Sequence, residues 1–232
     1  MIRAAFIAVA LLATSARADI TGWTLAVTWQ PGFCAANARS AQCATDTAPR
    51  LVLHGLWTEG MGDEFCGVAR DVRAQDSQRQ WCALPTPRVT PATAATLKRI
   101  MPGTIDCLER HEWIKHGTCS GMNADTYFGI AAKLADKVNR LETARLLQAR
   151  AGGTVSLAEL DAAIARDLGR ESVKAVLPVC SRRGENVHFV ELRISLDAKK
   201  YQAFPKPEAL LTREKWFDPR CPADRPINLG AR

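Results

Sequence analysis

The sequence predicts an α+β fold in a single domain, with a central, mostly antiparallel sheet, flanking helices and four disulfides. Three observations predict it. Alternating segments rich in β-branched and aromatic residues open the mature chain and return in its last third, while 3.6-residue apolar periodicity fills the middle. Eight cysteines, an even number, are spread over 232 residues. No internal repeat, low-complexity stretch or linker marks a second domain.

The chain opens on Arg3, a ten-residue apolar run over positions 4–13, and Ala16-Arg17-Ala18, which reads as a secretory signal over residues 1–18. Residues 19–232 then form the mature domain. That run is too short to span a bilayer and no later segment is long enough, so no membrane contact is expected after cleavage. Export to the periplasm or the medium makes the cysteines a disulfide framework. The absence of any C-x-x-C pair disfavours a zinc ribbon or a thioredoxin-like site. Order along the chain pairs Cys34 with Cys43 and Cys180 with Cys221. The pairing of Cys66, Cys82, Cys107 and Cys119 stays open, and their bonds are expected to brace the two histidine stretches they flank. Without Arg3 and Arg17 the chain carries 29 basic and 24 acidic residues. That excess is compatible with a polyanionic partner without identifying one.

Residues 23–29 (Trp-Thr-Leu-Ala-Val-Thr-Trp) alternate as a strand, ended by Pro31-Gly32 and followed by a loop closed by Cys34 and Cys43. Residues 51–53 form a short apolar strand that delivers His54, with Gly55 allowing a turn after it. Residues 59–91 lack periodicity and read as a long covered loop. Helices are expected over 93–101, 105–115 and 124–141. Another runs from a capping box at Ser156 and Glu159 to Leu168. Strands are expected over 173–179 and 187–196, and the tail from Pro205 is expected to be irregular, held through Cys221.

The chemistry concentrates in two stretches, Leu51-Val52-Leu53-His54-Gly55-Leu56-Trp57 and His111-Glu112-Trp113-Ile114-Lys115-His116-Gly117-Thr118-Cys119. On a helix, Glu112 and His116 share a face, as do His111 and Lys115. Cleaving RNA through its own 2′-hydroxyl needs a base for that proton, an acid for the departing 5′-oxygen, and cations for the charge on the phosphorane. Histidine serves both proton roles near its ordinary pKa. A carboxylate orients an imidazole, and a lysine stabilises the developing oxyanions. Taken alone, His54 reads as a packed core histidine and the Glu112 spacings as surface helix pairs; together the two stretches favour chemistry. Trp113 reads as a core aromatic, His188 as a packing or surface residue, and Arg182-Arg183 as a solvated turn.

The two stretches resemble the active-site segments of the ribonuclease T2 family, secreted acid ribonucleases of fungi, plants and bacteria. The family's H-G-L-W-P stands here as His54-Gly55-Leu56-Trp57-Thr58, and His111 through Cys119 match H-E-W-x-K-H-G-T-C at every defined position. Order, spacing and cysteine count resemble the bacterial periplasmic branch. The resemblance implies His116 as general base, His54 as general acid, His111 on the phosphate, and Glu112 and Lys115 stabilising the transition state. It further implies Trp57, Glu59 and Gln30 in substrate binding, cleavage of single-stranded RNA to 2′,3′-cyclic phosphate ends with loose base preference, and no cofactor. RNA is the partner, and no obligate protein partner is evident. Thr58 replaces the motif's proline, and Leu108-Glu109-Arg110 stand where an aromatic residue usually begins the second segment.

A zinc hydrolase is the rival enzyme. His111-Glu112 followed by His116 misses H-E-x-x-H by one residue, which puts the two imidazoles roughly 140° apart around a helix. Lys115 between them would repel a dication. The non-enzyme rival, a disulfide-braced binding protein, is expected to have lost one of the two essential imidazoles. Both are present.

Overall fold

A computed structural model describes residues 19–213 and 220–230; the expected signal over 1–18 lies outside them. The elements run β1 (Asp19–Trp29), α1 (Gln30–Ala36), α2 (Gln42–Thr45), β2 (Leu51–Met61), α3 (Arg70–Ser77), α4 (Pro91–Ile100), α5 (Leu108–Lys115), α6 (Ala124–Val138), α7 (Glu142–Ala149), β3 (Thr154–Val155), α8 (Leu157–Leu168), β4 (Val176–Arg183), β5 (Asn186–Asp197) and β6 (Ile227–Asn228). This is the expected α+β class. The strands form one sheet in the order β2-β1-β5-β6-β3, with β4 also on β5, and every pairing is antiparallel except the short β5–β6 contact.

The alternation in β1 decides what each face of the sheet does. Trp23, Leu25, Val27 and Trp29 enter the core, where Tyr127, Phe128, Ala131, Leu134 and Val138 of α6 join them. Thr24 and Thr28 point the other way, into the surface groove described below. In β5 the core positions shift phase, from Val187 and Phe189 to Leu192, Ile194 and Leu196. The β4–β5 register slips at Val190, between Val179↔Glu191 and Cys180↔Phe189. That bulge leaves Glu191 and Arg193 on the groove face.

Several local expectations are corrected. The strand carrying His54 does not turn at Gly55 but continues to Met61, because β1 supplies a full-length partner. Residues 59–91 hold the end of β2, α3 and a 3₁₀ turn at Trp81–Ala83 rather than an irregular loop. Their helix is too polar to show apolar periodicity. Helix α1 occupies the expected loop after Pro31, started by a proline in its first turn. The helix expected over 105–115 begins only at Leu108, since Cys107 adopts a left-handed conformation (φ 60°) that separates it from the 3₁₀ turn at Pro102–Asp106. Helix α7 was not anticipated, whereas α8 carries the capping box at Ser156 and Glu159.

Disulfides join Cys34–Cys43, Cys66–Cys119, Cys82–Cys107 and Cys180–Cys221. The middle two tie the segment between β2 and α4 to the two ends of the α5 region. Among the described residues, no helix is long and apolar enough to cross a membrane.

Candidate active site

His54 owes its direction to an irregularity in β2. The β1–β2 register steps from Ala26↔Gly55 to Val27↔Leu53, leaving His54 as the extra residue of a bulge. The slip re-phases the strand, so that His54 and Trp57, three apart, lie against each other with ring centroids at 5.3 Å in an edge-on arrangement. In an unbroken strand residues three apart face opposite ways. Gly55 is required beside it. A Cβ there would lie 1.9 Å from Glu112 Oε2 and 2.7 Å from Trp57 Nε1.

Helix α5 brings the second stretch against β2. Glu112 is buried, 1% exposed, and its Oε2 accepts from Trp57 Nε1 at 2.9 Å. Its Oε1 lies 3.5 Å from His54 Nε2 and 3.8 Å from His111 Nε2, with no hydrogen bond of its own among the described residues. Burial raises the Glu112 pKa, and His54, His111, the Trp57 indole and Lys115 offset this only in part. The helix stops at Lys115, so His116 is its C-terminal cap rather than a member of the Glu112 face. Gly117 continues the turn where a Cβ would strike the Trp113 ring at 2.3 Å. His116 is buried, lies 5.6 Å from Trp57 between ring centroids, and has no partner for Nδ1 among the described residues. Lys115 pairs with Glu64 at 3.1 Å.

Each of the other two imidazoles is backed by a carboxylate that sequence reading did not single out. His54 Nδ1 meets Glu191 Oε2 at 2.6 Å, and Arg193 Nε donates to Glu191 Oε1 at 2.7 Å. His111 Nδ1 meets Asp76 Oδ1 at 2.6 Å while Trp81 stacks on its ring at 4.6 Å. The partners fix both rings and aim each Nε2 toward Glu112. For Glu191 a signal existed, a carboxylate where the alternation of an apolar strand slips; Asp76 and Trp81 sit in a polar segment with none.

The electrostatics of the histidines diverge. Burial opposes charge on His54, but the charge and hydrogen bond of Glu191, with Glu112, outweigh it and the opposing Arg193, raising its pKa to about 9. Burial likewise pushes Glu191 up, yet His54 and Arg193 hold it down at about 2. For His116, burial first and then the charges of Lys115, His111 and His54 push the pKa down to about 2.

Two hollows meet at this cluster. A groove of about 1050 Å³ is lined by His54, Trp81, Thr28, Glu191 and Arg193, among others. A smaller pocket of about 590 Å³ is lined by Trp57, Glu59, Lys115, His116, Arg193 and Arg213. Arg193 lines both, its guanidinium 4.9 Å over the Trp57 ring. Glu59 is engaged by Thr24 and Arg213. Thr58, in place of the motif's proline, donates to the Asp63 carbonyl at 2.6 Å and lies 3.5 Å from that of His116. The structure thus gathers His54, Trp57, Glu59, His111, Glu112, Lys115 and His116 in one region, but not Gln30. That side chain is fully buried at the start of α1, donating to the Asp46 carbonyl at 2.8 Å, and it does not reach either hollow. Trp113 packs on Tyr127 and Phe128 as a core aromatic. His188 sits on β5, paired in register with Ser181 of β4 and Asn228 of β6. Among the described residues, no group of three His, Cys, Asp or Glu side chains is placed to hold a metal ion.

Comparison with known proteins gives the class, a ribonuclease. Residues 21–205 match the model of the ribonuclease T2 family, and the chain belongs to that family. It is 32% identical over 220 residues to ribonuclease I of Escherichia coli (strain K12), covering 80% of this chain and 78% of the relative, which places it in the bacterial ribonuclease I-like branch. A ribonuclease of Aeromonas hydrophila is 28% identical, over 59% of this chain and 55% of its own. Among solved structures, the self-incompatibility associated SF11-RNase of Nicotiana alata superposes with a TM-score of 0.65 at 19% identity, covering 91% of this chain and all of that one. RNase NT, solved in complex with 5′-AMP, gives 0.63 at 18% identity, covering 91% and 98%.

Proposed function

We propose that this endoribonuclease cleaves single-stranded RNA by transphosphorylation, the 2′-hydroxyl attacking the adjacent phosphorus to leave a 2′,3′-cyclic phosphate. The observation that carries the reading is geometric: His54 and His116 lie on either side of the Trp57 ring, at 5.3 and 5.6 Å between centroids, with the buried Glu112 carboxylate bonded to that indole and 3.5 Å from His54. His116, held down at about 2, is a neutral imidazole ready to take the 2′-hydroxyl proton. His54, raised to about 9, is an imidazolium ready to protonate the departing 5′-oxygen. Environments that drive two titratable groups apart assign the base and the acid.

The remaining residues fit the charge that builds on the phosphorane. His111 Nε2 and His54 Nε2 flank Glu112 Oε1, so a phosphate seated beside them faces two imidazole edges. Lys115 supplies fixed positive charge at the pocket that His116 lines. The nucleotide that donates the 2′-hydroxyl belongs on the His116 side, its base against Trp57 with Glu59 and Arg213 at the edge. The leaving nucleotide belongs in the larger groove beside His54. RNase NT's bound 5′-AMP supports a nucleotide ligand for this fold. No metal ion or cofactor enters this route, and base preference is loose because the base pocket presents a stacking face more than a fixed set of donors. Export by a signal over residues 1–18, to periplasm or medium, completes the reading, and a mature N-terminus at Asp19 is its check.

The test is substitution of the two imidazoles. His54→Ala and His116→Ala should each lower kcat by about 10²–10⁴-fold, with unchanged circular dichroism and thermal unfolding. Near-full activity in either variant overturns the assignment. A fully 2′-deoxy strand should be left intact, because it lacks the nucleophile.

A further inference from the structure

We infer that the groove beside His54 carries a phosphate subsite for RNA continuing 3′ of the cleaved bond, formed by Arg39, Arg79 and Arg183. The inference rests on the ribonuclease reading above and extends it from the reacting nucleotides to the strand beyond them.

Size is the first argument. The groove holds about 1050 Å³, whereas pockets for one drug-sized ligand run from roughly 300 to 1,000 Å³. One leaving nucleotide does not fill it. Polarity is the second. The 5′-oxygen protonated by His54 belongs to the downstream nucleotide, and His54 lines this groove while His116 lines the other pocket. Whatever follows the leaving nucleotide therefore runs along the groove, past Trp81.

Charge is the third argument. Arg39, Arg79 and Arg183 line the same groove, and its acids are Asp106 and Glu191. Glu191 is already held between His54 and Arg193. Arg39 and Arg79 are exposed and make no side-chain hydrogen bond or ion pair among the described residues. Arg79 also keeps a left-handed backbone (φ 58°) at the end of α3, three residues after the Asp76 that holds His111. Glycine or asparagine takes that conformation more readily. Arg183 is fixed by its Nε donating to the Ala36 carbonyl at 2.7 Å, with Nη2 3.5 Å from Asn37 Oδ1, so part of its five-donor fork stays available. Guanidinium groups along a groove that opens from a strand-cleaving site match a phosphate backbone in spacing-tolerant, sequence-independent fashion.

The experiment uses oligodeoxynucleotides with a single ribose, so that each has one cleavable bond, placed to leave none, one or two phosphates on its 3′ side. For the wild-type protein kcat/KM should rise about tenfold once a downstream phosphate is present, the scale of two exposed charge contacts. The Arg39→Ala/Arg79→Ala variant should lose that gain while cleaving the ribose-containing dinucleotide at the wild-type rate. Its dependence on salt should flatten by about one to two in the log–log slope. The subsite is overturned if the gain follows upstream phosphates instead, or if the double variant keeps it. Failure to cleave even the dinucleotide sinks the ribonuclease reading, and the subsite with it.

Discussion

His54 takes its protonation state from Glu191, a residue 137 positions later in the chain. Because the folded pKa of His54 lies above its ordinary value, the acid form is fully present at neutral pH and is lost as pH rises through about 9. For His116 the sign is reversed: the neutral base is lost only as pH falls toward about 2. The free enzyme's kcat/KM should therefore hold through neutral pH and fall on the alkaline side near 9. Glu191→Gln removes both the charge and the charged hydrogen bond, so the alkaline limb should move to lower pH while KM for short substrates changes little. An unmoved limb would show that another group sets it. The two histidine stretches, with Glu112 and Lys115, were legible in the sequence because titratable residues crowd there. Asp76 and Arg193 were not, and Glu191 left only a slip in the alternation of an apolar strand, since their roles arise from strand pairing and a helix contact across the chain.

At the level of elements, the bulge in β2 and the close approach of α5 act as one device. The strand delivers His54 and Trp57 to the same side, and Gly55 leaves room for the Glu112 carboxylate between them. Gly55→Ala forces that carboxylate and the Trp57 indole to move. It should cost activity about 10²-fold, the scale of a misplacement near 1 Å, and lower the unfolding midpoint in urea. Retention of both would mean that the strand yields without disturbing the site. Sequence periodicity located β1, α4, α6, α8 and β5, whose alternation or amphipathic face reflects burial. It missed α1, α2, α3 and α7, of 7, 4, 8 and 8 residues, which are too short for a periodic face to stand out, and it ended β2 at Gly55. There the glycine serves side-chain clearance rather than a turn.

For the whole molecule, the cysteines hold the site's two halves together. Cys66–Cys119 closes a 53-residue span and ties the segment after β2 to the turn that follows His116. Chain-entropy arguments give about 4 kcal/mol for a loop of that length. A Cys66→Ala/Cys119→Ala variant should lose stability on that scale by denaturant unfolding, and should lose activity before it unfolds, because His116 and Gly117 sit at the anchored turn. Equal stability with and without the bond would remove it from this account. The disulfide framework was legible as an even cysteine count behind an expected export signal. The middle pairings were not, because they depend on how α5 folds back on β2.

The central claim is that the bond is broken by the RNA's own 2′-hydroxyl under histidine acid–base control. It is tested most directly by incubating the purified mature protein with single-stranded RNA in excess chelator and identifying the new ends. The account predicts undiminished cleavage with 2′,3′-cyclic phosphate and 5′-hydroxyl termini. Cleavage abolished by the chelator, or products bearing 5′-phosphates, would contradict it.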